Sequence, residues 1–546
     1  MLQAPGSSTS RALALKSLIK RRSFFPSLLA FSLLIAQMVI PWTVTWFATE
    51  DGPSHIYSAV VARNLVLHHG NTRFSSVYQL NRRVAPNWTG TLLLALIEPV
   101  AGVDHAEKVL VSLCICFGFF AFAYAVTSFA PEASPWTPLA NFLLQTWFLW
   151  IGFYNFYIAM LLALVVVGYY VRAEGVLTIR RGIVLAAGLL AVFFTQLLGA
   201  AAALLTIGFV AVWIHAIVPG VFRPRSAVRW KQVGAALMTM LPVLGLTLVF
   251  ARSSQPIDYS KNDWLGALLG FPLHVFASAS GMAGGQAYVW PAVLSYIVTA
   301  VFLMTRSEWR SAKAGVVPAM AGLFALYVAV PDEGMGGAIV KVRFAWGVFL
   351  LGGLLAASVR RMRFIQIPMA VYIAAFLIGN LVVTSQTLSD SSDMIGDYLA
   401  AAGQPKRAAT MIRYRYPTPD LPSRYAIEGL GRDPLFHLDA LIAARCRCLD
   451  LSDYEALSQL FPIVFRSNTD RGLQFALWGM EGPGPNAREQ YNWLQAGLPV
   501  PIDYVIVVAD ASSPSAGRDQ LTTAVESTLQ PVARPGKDVF VQAYRQ

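Results

Sequence analysis

A chain of 546 residues with 56% hydrophobic and only 13% charged residues is not an ordinary soluble globular protein, in which about a quarter of residues carry charge. Its formal charge of +12 does not point to nucleic acid, because the surplus is confined to one part. Residues 385–546 hold 15 Lys+Arg against 18 Asp+Glu, whereas the first 384 hold 27 against 12, mostly as short clusters between apolar runs. That distribution is the mark of membrane topology and of anionic headgroups.

The chain opens with a basic tail, 1–23, carrying Arg11, Lys16, Lys20, Arg21 and Arg22. The apolar run after it, 24–47, is longer than the core of a cleaved signal and lacks a small-x-small site, so it reads as a retained anchor. A membrane-crossing helix needs about 20 apolar residues. Runs of that kind fall at 24–47, 106–130, 138–153, 155–171, 182–197, 198–218, 233–251, 289–305, 314–330, 344–359 and 365–384. Two shorter stretches, 88–101 and 264–280, are ambiguous. Placing the basic clusters Arg172/Arg180/Arg181, Arg223/Arg225/Arg229/Lys231, Arg306/Arg310/Lys313 and Arg360/Arg361/Arg363 in the cytoplasm decides them. Neither can cross without turning a basic cluster outward, so both lie on or dip into the outer leaflet.

The fold class expected is therefore a polytopic α-helical membrane protein of about eleven spans. Residues 24–384 form the membrane domain, with the N-terminus inside and the C-terminus outside, and 385–546 form an extracytoplasmic α/β domain. In that last part Pro434–Cys446 has helical periodicity and Thr522–Leu529 reads as helix. Asp503–Ala509 is a short β-branched run, and Val539–Tyr544 is strand-like. The place expected is a bacterial inner membrane, with the α/β domain periplasmic.

On this topology the unusual residues gather outside. The first outer loop, 49–105, begins E-D-G-P-S-H with Glu50, Asp51 and His55. It also holds Arg82 and Arg83, and Glu98 in the dipping segment. A second loop, 252–288, carries Asp258, Tyr259, Lys261 and Asp263. A third, Pro331–Phe344, carries Asp332, Glu333, Lys341 and Arg343 around Gly334, Gly336 and Gly337. Gln196 sits at a hairpin tip. A carboxylate at the mouth of a span acts either as general base for an incoming hydroxyl or as ligand of a divalent cation, Mg or Mn, that neutralises a phosphate. Asp51 is the residue best placed for either role, with Glu50 and His55 beside it; Asp51 or Ser54 as a plain helix N-cap is the competing reading. Arg343 and Lys341 at the mouth of a late span suit phosphate, or serve as interfacial anchors. Cys446 and Cys448 form a C-x-C that falls short of the four ligands of a zinc site.

Asp51 in E-D-G-P-S-H after the first span, the long first loop, the F-F-T-Q-L-L-G tip and the G-G-A-I-V-K-V-R-F start of a late span resemble the GT-C superfamily of membrane glycosyltransferases. So does an outward C-terminal α/β domain. The segment D-L-S-D-Y-E-A with F-P-I-V-F-R, 450–466, is similar to the tails of uncharacterised bacterial members. The resemblance implies sugar transfer from a polyprenyl-phosphate donor to a lipid, glycan or protein acceptor. It implies that Asp51 is the catalytic or metal-binding carboxylate and that Arg343 contacts the carrier phosphate, with Lys341, Gln196, Arg82 and Arg83 as further substrate contacts. Two departures stand out. Bacterial relatives often carry His where this chain has Gln196, and Trp150–Tyr157 (W-I-G-F-Y-N-F-Y) has no acid where the superfamily has its second acidic motif, which weighs against a bound metal. The competing functions are a lipid or polysaccharide transporter and a non-catalytic envelope assembly protein.

Overall fold

The computed structural model describes residues 28–70, 72–131, 146–222, 228–254, 258–279, 312–333, 339–357, 363–416, 426–427, 430–431, 433–458, 460–466, 487–498, 500–508, 516–532 and 541–546. It is mostly helical. Four helices, Val103–Phe129, Tyr154–Arg172, Leu197–Pro219 and Trp230–Ser253, are long and apolar enough to cross a membrane. Shorter apolar helices run over Leu28–Trp42, Trp88–Ala101, Trp264–Val275 and Val316–Ala329, and others over Ile179–Thr195 and Val340–Ala357. The basic tail, the run 289–305, half of the run 138–153, the basic pairs Arg223/Arg225, Arg306/Arg310 and Arg360/Arg361, and the glycines 334, 336 and 337 lie outside the described residues.

The bundle is built around Tyr154–Arg172, which packs on Val103–Phe129, on Leu197–Val212 and on Ile179–Thr195. Its own face is nearly all buried. Helices toward the rim show the opposite. Trp230–Ser253 leaves Leu237, Met238, Leu241, Leu244, Leu248 and Val249 exposed, an apolar stripe at helical spacing that no helix among the described residues covers.

Trp88–Ala101 is 14 residues of α-helix, too short to span. Leu92, Leu96 and Val100, one above the other at i, i+4, i+8, are exposed, Val100 at 90%. Glu98 on the opposite side is buried and takes Arg63 (2.7 Å) and Arg447 (2.6 Å). The same helix thus shows apolar side chains outward and a satisfied charge inward. Trp264–Ala279 repeats the outward part with Leu265, Leu269 and Leu273 exposed.

The last run, 365–384, does not stop at 384. One helix continues over Arg363–Ala402, so the boundary expected at 385 falls inside it. The reason lies in the periodicity: Leu388, Ser391, Ser392, Ile395, Tyr398 and Ala402 are all buried, so the apolar run passes into an amphipathic helix without a break. It ends at Gly403, whose φ of +69° no L-residue adopts readily.

The C-terminal domain holds a five-stranded sheet in the order β5-β2-β7-β9-β8. In chain order the strands are β2 (Thr410–Arg415), the small hairpin β3 (Ala426–Ile427) and β4 (Leu430–Gly431), β5 (Leu449–Asp450), β6 (Ile463–Phe465), β7 (Tyr504–Val508), β8 (Gln530–Pro531) and β9 (Val541–Arg545). β5, β2 and β7 are parallel, while β9 and β8 close the edge antiparallel. β7 reads Y-V-I-V-V and is buried on both faces, as a central parallel strand must be. Helices Leu438–Cys446 and Ala516–Glu526 fall where the sequence expected them, the second starting six residues earlier.

This domain is knitted to the first loop. β1 (Tyr78–Leu80) pairs antiparallel with β6 in the register Tyr78–Phe465, Gln79–Val464, Leu80–Ile463. The helix Gly52–Leu67 packs on Leu438–Cys446. Tyr57 donates its hydroxyl to the Cys448 carbonyl (3.0 Å) and accepts from the Asp450 N–H (2.8 Å). Cys446 and Cys448 are joined as a disulfide in the turn that makes these contacts.

Candidate active site at the mouth of the first loop

Asp51 stands at the N-cap of the helix Gly52–Leu67, with Pro53 in the first turn. The Asp51 side chain accepts no capping hydrogen bond, so the carboxylate is left for other partners. The loop that carries it is fixed from below. The Asp51 N–H donates to Ile151 O (3.0 Å). Thr49 donates its N–H and hydroxyl to the buried Glu107 carboxylate at 3.0 and 2.6 Å, and the Tyr154 hydroxyl donates to the same oxygen at 2.6 Å. Two glycines make this approach possible. A Cβ on Gly52 would lie 1.7 Å from Glu107 Oε1, and one on Gly152, at φ +95°, 2.6 Å from Thr49 Oγ1.

Around the Asp51 carboxylate the chain gathers residues from four elements. From its own helix comes His55, whose Nε2 meets Gly152 O at 3.0 Å and whose Nδ1 pairs with Glu455. From the C-terminal domain come Tyr454, whose hydroxyl bonds the Asp51 carboxylate, and His437, with Nε2 3.8 Å from Asp51 Oδ1. The His437 ring stacks on Tyr454 at 4.5 Å. From the start of Val340–Ala357 comes Arg343, which feels the charge of Asp51 and of Asp332. Its guanidinium lies over Phe153 at 4.3 Å and Phe156 at 5.6 Å, and its buried Nε has no hydrogen-bond partner among the described residues.

The electrostatics follow from burial. Asp51, 14% exposed in its side chain, is pushed up to about 6 by desolvation; the His55 cation works against this and the Glu455 charge adds to it. For His55 burial acts downward, but the Glu455 carboxylate bonded to it, with Asp51 beyond, outweighs that and holds it at about 9. His437 is driven well below its usual value by burial, with Arg413 and Arg415 adding to the effect. At neutral pH the mouth therefore holds an ionised but poorly solvated carboxylate between a protonated His55, an Arg343 guanidinium and a neutral His437. A base of that kind, titrating near the working pH, is efficient at taking a proton from a hydroxyl.

The other residues singled out in the sequence lie elsewhere or are engaged. Glu50 turns away from Asp51 and accepts the Asp433 N–H at 3.0 Å. Gln196 caps the helix Leu197–Val212, its Oε1 accepting from Leu198 N and Gly199 N at 2.6 and 3.2 Å. Lys341 is buried and donates to Asn262 Oδ1 (2.8 Å). Arg82 is exposed, and Arg83 reaches Ser253 O at 3.5 Å. The sequence did not single out Tyr454, Glu455, Phe153 or Glu107. Glu107 had a signal, an acid inside an apolar run; Tyr454 and Glu455 lie in a segment noted only for its resemblance.

The surroundings of Asp51 do not suit a divalent cation, which takes several oxygen ligands. Glu455 is engaged by the His55 cation and Glu50 by a backbone N–H, and Arg343 brings positive charge to the same place. Among the described residues no three His, Cys, Asp or Glu side chains are placed to hold a metal. No protein-family model matches the chain, and no curated protein matches it in sequence.

Proposed function

We propose that the protein is a GT-C-type glycosyltransferase, moving a sugar from a polyprenyl-phosphate carrier to a hydroxyl-bearing acceptor. It works at the face of a bacterial inner membrane opposite the basic loops, with about eleven spans and the C-terminal domain outside. The observation that carries the reading is that Asp51 and Arg343, far apart in sequence, come within each other's electrostatic reach, a base titrating near 6 beside a guanidinium whose Nε has no partner among the described residues. Asp51 takes the proton of the acceptor hydroxyl as its oxygen bonds the anomeric carbon. The bond from that carbon to the phosphate oxygen breaks, and polyprenyl phosphate leaves with the electron pair. Arg343 stabilises the phosphate through charge-assisted hydrogen bonds. The exposed leucines of Trp88–Ala101 and Trp264–Ala279 support helices lying in the outer leaflet, where a lipid tail enters from the side. The Cys446–Cys448 disulfide supports an oxidising compartment for the C-terminal domain.

A transporter would place ionisable groups near the bilayer midplane. In Val103–Phe129 the charged residues, Asp104, Glu107 and Lys108, all fall in the first two turns, and Lys108 caps the carbonyls of Val44 and Thr45. This favours transfer chemistry at one face.

The test uses the full-length protein in nanodiscs with a panel of polyprenyl-phosphate-linked hexoses and pentoses labelled on the sugar. Wild-type protein is expected to consume at least one donor, and Asp51→Asn to slow that consumption by about 100-fold or more at equal protein yield. Consumption unchanged in Asp51→Asn, or no donor consumed by wild-type protein, refutes the reading.

A further inference from the structure

Open α/β sheets gather ligand-handling residues at the carboxyl ends of their parallel strands. Here the segment after β5, Ser452-Asp453-Tyr454-Glu455, leaves the carboxyl end of its strand and runs directly onto the first turn of Gly52–Leu67. Three successive side chains engage that turn. Asp453 Oδ1 accepts from Ser54 Oγ at 3.1 Å, Tyr454 bonds Asp51, and Glu455 pairs with His55. Asp453 also caps its own one-turn helix through the Glu455 N–H at 3.1 Å, which fixes the direction of all three. The carboxyl end of β2 supplies Arg413 and Arg415. Arg413 pairs with Asp439 at 3.1 Å, and Arg415 pairs with Asp433, the residue whose N–H holds Glu50.

We propose that the C-terminal domain is half of the active site rather than a separate module, and that Tyr454 and Glu455 are positioning residues for Asp51. Tyr454 orients the carboxylate by hydrogen bond, and Glu455 keeps His55 a cation beside it. The inference rests on Asp51 being the working carboxylate, and it assigns the α/β domain a task the membrane domain cannot perform alone. Without Glu455 the buried His55 has no ion-pair partner on that side. Without Tyr454 the carboxylate loses the donor that opposes its burial.

The groups facing Asp51 are His55, Arg343, Tyr454, Glu455 and His437. Those facing His55 are Asp51, Glu455, Glu107, His437 and Tyr154, whose ring lies 5.7 Å from the imidazole. The charge on His55 is therefore readable by titration, independently of turnover.

The experiment follows the His55 ring by NMR in full-length protein labelled at histidine and held in nanodiscs, with His55→Gln identifying the resonance. Donor consumption against pH is measured in parallel. In wild-type protein His55 is expected to be protonated at pH 7.5, with a midpoint near 9. Glu455→Gln should leave it neutral at pH 7.5 and cut donor consumption about tenfold, and Glu455→Asp should restore both in part. Tyr454→Phe should shift the rising limb of the pH–rate profile upward by about one unit, the scale of one charge-assisted hydrogen bond, and lower the rate above the limb because the carboxylate is no longer oriented. A wild-type His55 that is neutral at pH 7.5 overturns the inference even if neither Glu455 variant folds, as does a Glu455→Gln protein whose His55 stays protonated. If those results come with donor consumption that still depends on Asp51, the transferase reading survives and the positioning role alone is lost. If His55 behaves as expected but Asp51→Asn consumes donor like wild type, the transferase reading and the inference that rests on it both fall.

Discussion

Two polar clusters share the first turn of Val340–Ala357, Lys341 in one and Arg343 in the other, and they are built on opposite plans. At Lys341 every strong donor and acceptor is matched locally. Its ammonium goes to Asn262 Oδ1 (2.8 Å) and Tyr327 O (3.5 Å), and its N–H to Asp332 Oδ1 (2.9 Å). The Asn262 amide goes on to the carbonyls of Val328 and Ala329 at 3.1 and 3.0 Å. The result fastens the loop before Trp264 to the end of Val316–Ala329 and the start of Val340–Ala357. At Asp51 the matching stops short. A carboxylate is held by a tyrosine, faced by a histidine at 3.8 Å and by a guanidinium whose Nε has no partner among the described residues. Satisfied clusters stabilise; a partly satisfied one costs stability and is where strain is kept for function.

That contrast has a sign that can be measured. Asp51 is pushed up from 3.8 to about 6, so its contribution to stability is fully present below about pH 3.8 and is lost as the pH rises through 6. At pH 7.5 the ionised carboxylate costs about 3 kcal/mol, two pKa units at about 1.4 kcal/mol each. Asp51→Asn cannot ionise. Its thermal midpoint in nanodiscs should gain on the wild-type midpoint as the pH is raised from 4 to 7.5, while activity is lost. A gap between the two midpoints that does not change with pH would put Asp51 on the same footing as the Lys341 cluster.

The sequence located much of this, and its gaps have a common cause. Asp51 and Arg343 were legible because each sits at the edge of an apolar run, where a charge is conspicuous. The helix Trp88–Ala101, 14 residues long, was legible as an apolar stretch too short to span. β7 was legible from a β-branched run, and β9 from the strand-like stretch Val539–Tyr544. By contrast the β1–β6 ladder is three residues long on each side, below any periodic signal, and it is what brings Tyr454 and Glu455 to the mouth. The Arg363–Ala402 helix hid its length because its pattern changes from apolar on all sides to amphipathic near 385, which reads as a boundary although the backbone does not break. Long-range pairings of this kind are fixed by complementary surfaces, not by local propensity.

The same contrast predicts the opposite outcome for the fastener. Lys341→Met removes the ammonium and leaves the half-buried Asn262 Oδ1 without its donor, a loss toward the lower end of the about 1–3 kcal/mol that an unpaired buried polar group costs. Donor consumption should remain within about twofold of wild type at a temperature where the variant is folded. Consumption that collapses while the thermal midpoint holds would make Lys341 part of the substrate site after all.

Gln196 gives the smallest effect and the finest discrimination. Its side-chain oxygen accepts from Leu198 N and Gly199 N, and Gly199 lies so close to Ala159 that a Cβ would meet it at 2.6 Å. The cap therefore sets how the helix Leu197–Val212 rests on Tyr154–Arg172. Gln196→Ala should lower stability by about 1 kcal/mol, the usual value of an N-cap, and Gln196→Asn, which keeps a capping oxygen on a shorter arm, should recover most of it. A residue acting on substrate would instead lose activity in both variants with the midpoint unmoved, and the hairpin tip would then belong with Asp51 rather than with Lys341.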